Sequence, residues 1–167
     1  MSLSMHSASA PVFARILGNM LTWLDKAQAH AEARKFDAGN YLGLRLAPDM
    51  LPLVKQIQIA SDTAKGCIAR LAGQEVPKWE DTEDTLDDLR ARIRRTIDFV
   101  QSVPAPQVDG SDGREIVLAM RQGELRFSGE DYLRHFALPN FYFHATTTYA
   151  LLRHAGVELG KRDFLGG

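Results

Sequence analysis

Four segments of the chain place an apolar side chain at every third or fourth position over about twenty residues each, and few folds accept that pattern. The first runs roughly from Pro11 to Lys35 and carries Phe13, Ile16, Met20, Leu24 and Ala27, with Ser7 and Ser9 as cap candidates. The second runs from Met50 to Leu71 on Val54, Ile57, Ala64, Ile68 and Leu71, and Gly73 and Pro77 stop it. The third runs from Thr82 to Val103 on Leu86, Leu89, Ile93, Ile97 and Val100. The fourth starts at a cap on Ser128 and ends at His154 before Gly156, with Pro139 inside it predicting a kink. Between the third and fourth, Glu115–Met120 and Glu124–Phe127 are β-rich runs around Arg121, Gln122 and Gly123, the mark of a small hairpin. The chain therefore reads as an all-α four-helix bundle with a β-hairpin inserted before the last helix, one domain over residues 1–167.

Composition narrows the function classes. The 167 residues hold 20 basic and 21 acidic side chains, a net charge of −1, which lacks the clustered basic excess of a nucleic-acid binder. The one cysteine, Cys67, excludes an intramolecular disulfide and reads as a small core residue. No apolar run approaches the ~18 residues of a membrane span. The opening "MSLSMHSASAPVFARIL" lacks the basic and apolar regions of a secretory leader, so a cytoplasmic location is expected.

On the third helix, Glu80, Asp81, Glu83, Asp84, Asp87 and Asp88 precede Arg90, Arg92, Arg94 and Arg95. That order suits the helix dipole, offers an Asp88–Arg92 pair one turn apart, and reads as a solvated face. His6, His30 and His154 lie near helix ends and are expected at the surface. His135 is half a turn out of phase with His144. In the tail "VELGKRDFLGG", Phe164 and Leu165 are expected to pack on the bundle or on a second copy.

Chemistry concentrates on the fourth helix. Its inward seam passes Leu133, Phe136/Ala137, Asn140, Phe143/His144, Thr147 and Leu151. Asn140 and His144 are one turn apart, so both can converge on one ligand or ion, or serve as a hydrogen-bonded core pair. Buried, they need partners, and the second helix supplies Gln56, Gln58, Ser61, Asp62 and Lys65. Asp62 could orient the imidazole or act as a ligand. A structural polar network, a ligand or active site, and a metal site all remain open on these residues.

The segment "HATTTYALLRHAG" resembles the last-helix motif of the DinB/YfiT-like superfamily, in which a histidine precedes by nine residues the arginine of an "LLR..G" ending, here His144 and Arg153. With "LAPDMLPLVKQIQIASD", "PNFYFH" and "ELGKRDFLG", nearly the whole chain is similar to the branch called domain of unknown function nineteen-ninety-three. The resemblance implies an up-down-down-up bundle, often a homodimer, whose metal-binding members hold zinc or nickel on three histidines; relatives include thiol-dependent transferases and isomerases. Of the three ligand positions, only His144 remains a histidine; Asn140 stands at the second and Gln58, with Asp62 four residues on, at the third. Two amides are poor zinc donors. The expectation is a small-molecule cleft lined by Gln58, Asp62, Asn140 and His144, with no tightly bound metal and with His144 as the candidate acid or base. A divalent-metal hydrolase or thiol transferase with a degenerate ligand set, and a non-enzymatic homodimeric interaction module, are the alternatives.

Overall fold

The computed structural model describes residues 3–120 and 122–167. Met1 and Ser2, within the stretch tested for a leader, and Arg121, within the expected hairpin turn, lie outside them. In chain order the helices are α1 (Ala10–Arg34), α2 (Leu53–Leu71), α3 (Leu86–Ser102), α4 (Ala105–Val108), α5 (Gly129–Asp131), α6 (Leu138–His154) and α7 (Lys161–Leu165). Strands β1 (Ile116–Met120) and β2 (Gly123–Phe127) form an antiparallel hairpin, with Leu118 opposite Leu125. Among the described residues, no helix is long and apolar enough to cross a membrane.

Side-chain contacts fix the helix directions. Arg90 reaches Asp25 and the Leu24 carbonyl, while the His6 N–H donates to Asp109, so α1 and α3 run oppositely. Gln58 meets Glu83 and Asp62 meets Arg92, so α2 and α3 run together. Asn140 meets Thr63 and His144 meets Gln56, so α2 and α6 are antiparallel. Phe13 packs on Phe141 and Trp23 on Tyr149, which sets α1 and α6 parallel. The result is an up-down-down-up bundle in which α1, α3, α2 and α6 follow one another around the core.

The apolar stripes lie where the period places them. Phe13, Ile16, Met20, Leu24 and Ala27 of α1 and Ile57, Ala64, Ile68 and Leu71 of α2 are buried in one core with Leu86, Leu89, Ile93 and Val100 of α3. Cys67 lies fully within it. The tail also packs inward: Phe164 stacks on Trp23 at 5.4 Å, and the Trp23 indole N–H donates to the Asp163 carbonyl at 2.9 Å. Leu165 stays outside at 52% exposure.

Several local expectations are corrected. Helix α3 begins at Leu86, not Thr82, because Thr85 and Asp88 form a capping box. Asp88 is thereby occupied, and Arg92 pairs instead with Asp62, Asp81 and Glu83. Arg90 and Arg92 are buried rather than solvated; Arg94 and Arg95 are exposed. Helix α2 begins at Leu53 rather than Met50, directly after Pro52. Ser9 stands at the N-cap of α1, but its hydroxyl donates back to the Met5 carbonyl instead of capping. His30 is half-buried, its Nδ1 2.6 Å from the Tyr41 hydroxyl, whereas His154 is exposed. Phe143, placed on the inward seam, faces outward at 55% exposure.

Pro139 acts through a π turn. Ser128 caps α5 as expected, accepting from the Asp131 N–H at 3.1 Å. Residues Tyr132–Ala137 then form a π-helical segment, in which the Leu138 N–H bonds to the Leu133 carbonyl five residues back. The wider turn lies directly before Pro139, which has no N–H to donate, and carries the chain into α6. Gly129, at the start of this stretch, lies so close to the Ser111 carbonyl that a Cβ would sit 1.9 Å from it. Only glycine lets the two backbones meet there.

Candidate functional site

Helix α2 carries polar residues on two faces. Gln56 and Thr63, seven residues apart, share the face toward α6; Gln58, Asp62 and Lys65 share the face toward α3. The structure therefore does not bring Gln58 to Asn140 and His144. Residues two apart on a helix lie some 200° apart around its axis, so Gln56 and Gln58 cannot serve the same seam. The residue facing the imidazole is Gln56.

At the α2–α6 seam His144 is 8% exposed and its Nδ1 is 2.7 Å from the Gln56 Oε1. The amide orientation follows from its other end, because the Gln56 Nε2 donates to the Leu51 carbonyl at 2.9 Å. The oxygen thus faces the ring, Nδ1 must carry the proton, and Nε2 keeps its lone pair. Nε2 has no hydrogen-bond partner among the described residues. Burial pushes the imidazole below its ordinary pKa, so the ring is neutral at neutral pH. One turn earlier, the half-buried Asn140 donates from Nδ2 to the Thr63 hydroxyl at 2.9 Å, leaving its Oδ1 as an acceptor. Thr147 and Thr148 bond to carbonyls of their own helix and add nothing to the site.

The α2–α3 seam is charged. Arg92, with only 2% of its side chain exposed, pairs with Glu83 at 2.9 Å and with Asp62 and Asp81 at 3.0 Å. Gln58 donates to Glu83 at 2.6 Å, and buried Lys65 pairs with Asp62 at 2.7 Å while lying over the Trp79 ring. The Gln58 Oε1 and the Arg92 Nε stay unpaired within this network. Asp62 is thereby committed to two cations and does not orient His144. His135 is an exposed residue 3.9 Å from Asp131, away from the seam.

The donors around His144 are one imidazole nitrogen, the carboxamides of Gln56 and Asn140, and the Thr63 hydroxyl. Tight zinc or nickel sites use several imidazole, thiolate or carboxylate donors. This set does not fit the three-histidine metal that the resemblance implies. Among the described residues, no three His, Cys, Asp or Glu side chains converge in a metal-holding group.

The bundle, with its hairpin before the last helix and a histidine on that helix facing α2, defines a DinB-like protein. A crystal structure of a DinB family member protein from Shewanella denitrificans is similar to it with a TM-score of 0.88 and 38% identity, covering 97% of this chain and 92% of that one. The sequence matches the family described as Domain of unknown function (DUF1993) over residues 5–165, and the chain belongs to that family. No curated protein matches the sequence.

Gln56 was among the partners the second helix offered in the sequence, but the resemblance selected Gln58 for the site. A helical wheel was the available signal: position 56 lies with Thr63 on one face, opposite position 58.

Proposed function

We propose that the chain binds a small organic molecule at the α2–α6 seam through His144, without a tightly held metal ion. The observation that carries this reading is the Gln56–His144 contact. It leaves a neutral imidazole with an unused lone pair on Nε2, backed by the Asn140 carbonyl oxygen one turn away. Such a pair accepts hydrogen bonds from a hydroxyl, thiol or amine, and a neutral imidazole can also take a proton from the group it holds. The degenerate metal-dependent hydrolase or transferase is the poorer reading, because the seam offers a single strong metal donor.

A fragment screen by nuclear magnetic resonance tests the proposal. Binders should shift the signals of Gln56, Asn140 and His144, and His144→Leu should abolish that binding. Elemental analysis of untagged protein should give well below one zinc or nickel per chain. A screen with no hits at this seam, or stoichiometric metal, would sink the proposal.

A second reading, a homodimeric module, has its own support. Phe143 is 55% and Leu46 46% exposed, and with Tyr142 they line a groove of about 410 Å3 on the outer side of α6. Exposed apolar side chains grouped in this way mark association surfaces. Sedimentation analysis should find a dimer that Phe143→Glu dissociates; a monomeric native chain ends this reading.

A further inference from the structure

Beyond the His144 seam, the hairpin forms one wall of an open cavity. It holds about 500 Å3 between α2, β1 and the π turn, and its wall includes Thr63, Arg70, Val117, Met120, Tyr132 and Phe136. That volume falls within the ~300–1,000 Å3 of small-molecule sites. Three features of the setting of its cation, Arg70, point to a ligand. Arg70 has no carboxylate within ion-pair distance among the described residues; its Nη1 donates only to the Tyr132 hydroxyl, at 3.0 Å. The guanidinium lies back over Gly66, where a Cβ would come 2.5 Å from Nη1, so a glycine inside the helix opens the seat. Glycine is among the least favourable residues in a helix interior, and here its missing side chain is what places the cation. Finally, Tyr132 accepts from Arg70 and its own O–H has no acceptor among the described residues. Burial pushes that phenol up to about 12, which keeps the proton in place as a donor.

We propose that this cavity binds a small amphipathic monocarboxylate, its carboxylate held by Arg70 and the Tyr132 hydroxyl and its apolar body lying against Val117, Met120 and Phe136. A guanidinium and a phenol O–H supply planar donors of the kind a carboxylate accepts. Asp62 also lines the wall but is paired with Lys65 and Arg92, so Arg70 is the cation left for an anion, and the apolar wall favours an amphipathic acid over phosphate. Val117 and Met120 are 38% and 51% exposed, apolar surface that such a ligand would cover. Thr63 lies between this site and the His144 seam, but neither Gln56 nor His144 lines the cavity, and the proposal does not depend on the one made for His144.

Octanoate is the probe, with octanol and inorganic phosphate as controls, in calorimetry and in amide chemical-shift mapping of the whole chain. Octanoate should bind saturably, shifting residues around Arg70, Val117, Tyr132 and Phe136 but not His144. Octanol should bind at least tenfold more weakly, since losing a hydrogen bond to a charged group costs about that much. Arg70→Met should weaken octanoate by about tenfold or more, and Arg70→Lys by less. Gly66→Ala, which keeps the charge but displaces it, should weaken it too, and it serves if Arg70→Met does not fold. The inference is overturned if octanoate does not bind, if it binds no better than octanol, if phosphate competes equally, if the shifts centre on Gln56 and His144 rather than on Arg70 and Tyr132, or if Arg70→Met and Gly66→Ala both bind as the native chain does.

Discussion

Toward α6, helix α2 presents Gln56 and Thr63 to His144 and Asn140, a seam with one titratable ring and no formal charge at neutral pH. Toward α3 it presents Gln58, Asp62 and Lys65 to Glu83 and Arg92, where the charges lock one another. The difference separates scaffold from site. A buried charge must be paired, so Arg92, with three carboxylates around it, has no ion pairing left for a ligand. A neutral imidazole can be held by one nitrogen and offer the other. The spare imidazole lone pair lies on the side that lacks charge.

Breaking the charged seam should have the larger effect. Arg92→Met leaves Glu83, which is 10% exposed, without its cation, and should cost about 3 kcal/mol, toward the low end for a broken buried pair because Asp62 and Asp81 reach solvent. Thermal denaturation would then fall by roughly 10 °C in a chain of this size. A loss below about 1 kcal/mol would mean the network is a surface ornament after all. Gln56→Leu comes next. It strands the buried Nδ1–H and should cost about 1–3 kcal/mol, with His144→Leu similar and the double variant far less than additive. Additive losses would break the assigned contact.

The pH response comes third and belongs to the neutral seam. The folded pKa of His144 lies below its ordinary value of 6.5, so the unfolded chain binds the proton more readily. Stability from this ring is complete above that value and falls as pH drops from about 6.5 toward the folded pKa, levelling below it. His144→Gln should flatten the stability curve in that window; an unchanged slope would assign it elsewhere. The smallest effect is expected for Asn140→Ala, about 0.5–1.5 kcal/mol, since Asn140 is half-buried and Thr63 can turn to water. Urea midpoints would rank all these variants.

The bundle was legible in the sequence because its signal is redundant: each stripe has five or more positions, and one misplaced residue such as Phe143 does not disturb it. The site was legible only in part. His144 and Asn140 were placed on the inward seam by phase, and both meet α2. Gln56 was among the candidates on α2, but which candidate faces His144 could not be read, because facing residues depend on the register between helices and no local pattern encodes that register. Gln58 was chosen by analogy, and a two-residue offset moved it to the opposite face. Asp88 was assigned to Arg92 by spacing, but the Thr85 cap competed for the same carboxylate and won. At Pro139 the sequence announced a disruption, and the structure supplied its form, a π turn that also shapes the cavity beside the hairpin.

The central claim is that His144 is neutral, protonated on Nδ1 by its bond to Gln56, and presents Nε2 to a ligand rather than to a tightly bound metal. Nitrogen-15 imidazole spectra of the native chain at neutral pH, recorded before and after one equivalent of zinc, address it directly. The account predicts an Nδ1–H tautomer whose Nε2 signal does not move with zinc. A proton on Nε2, or a stoichiometric zinc-bound Nε2, would contradict it.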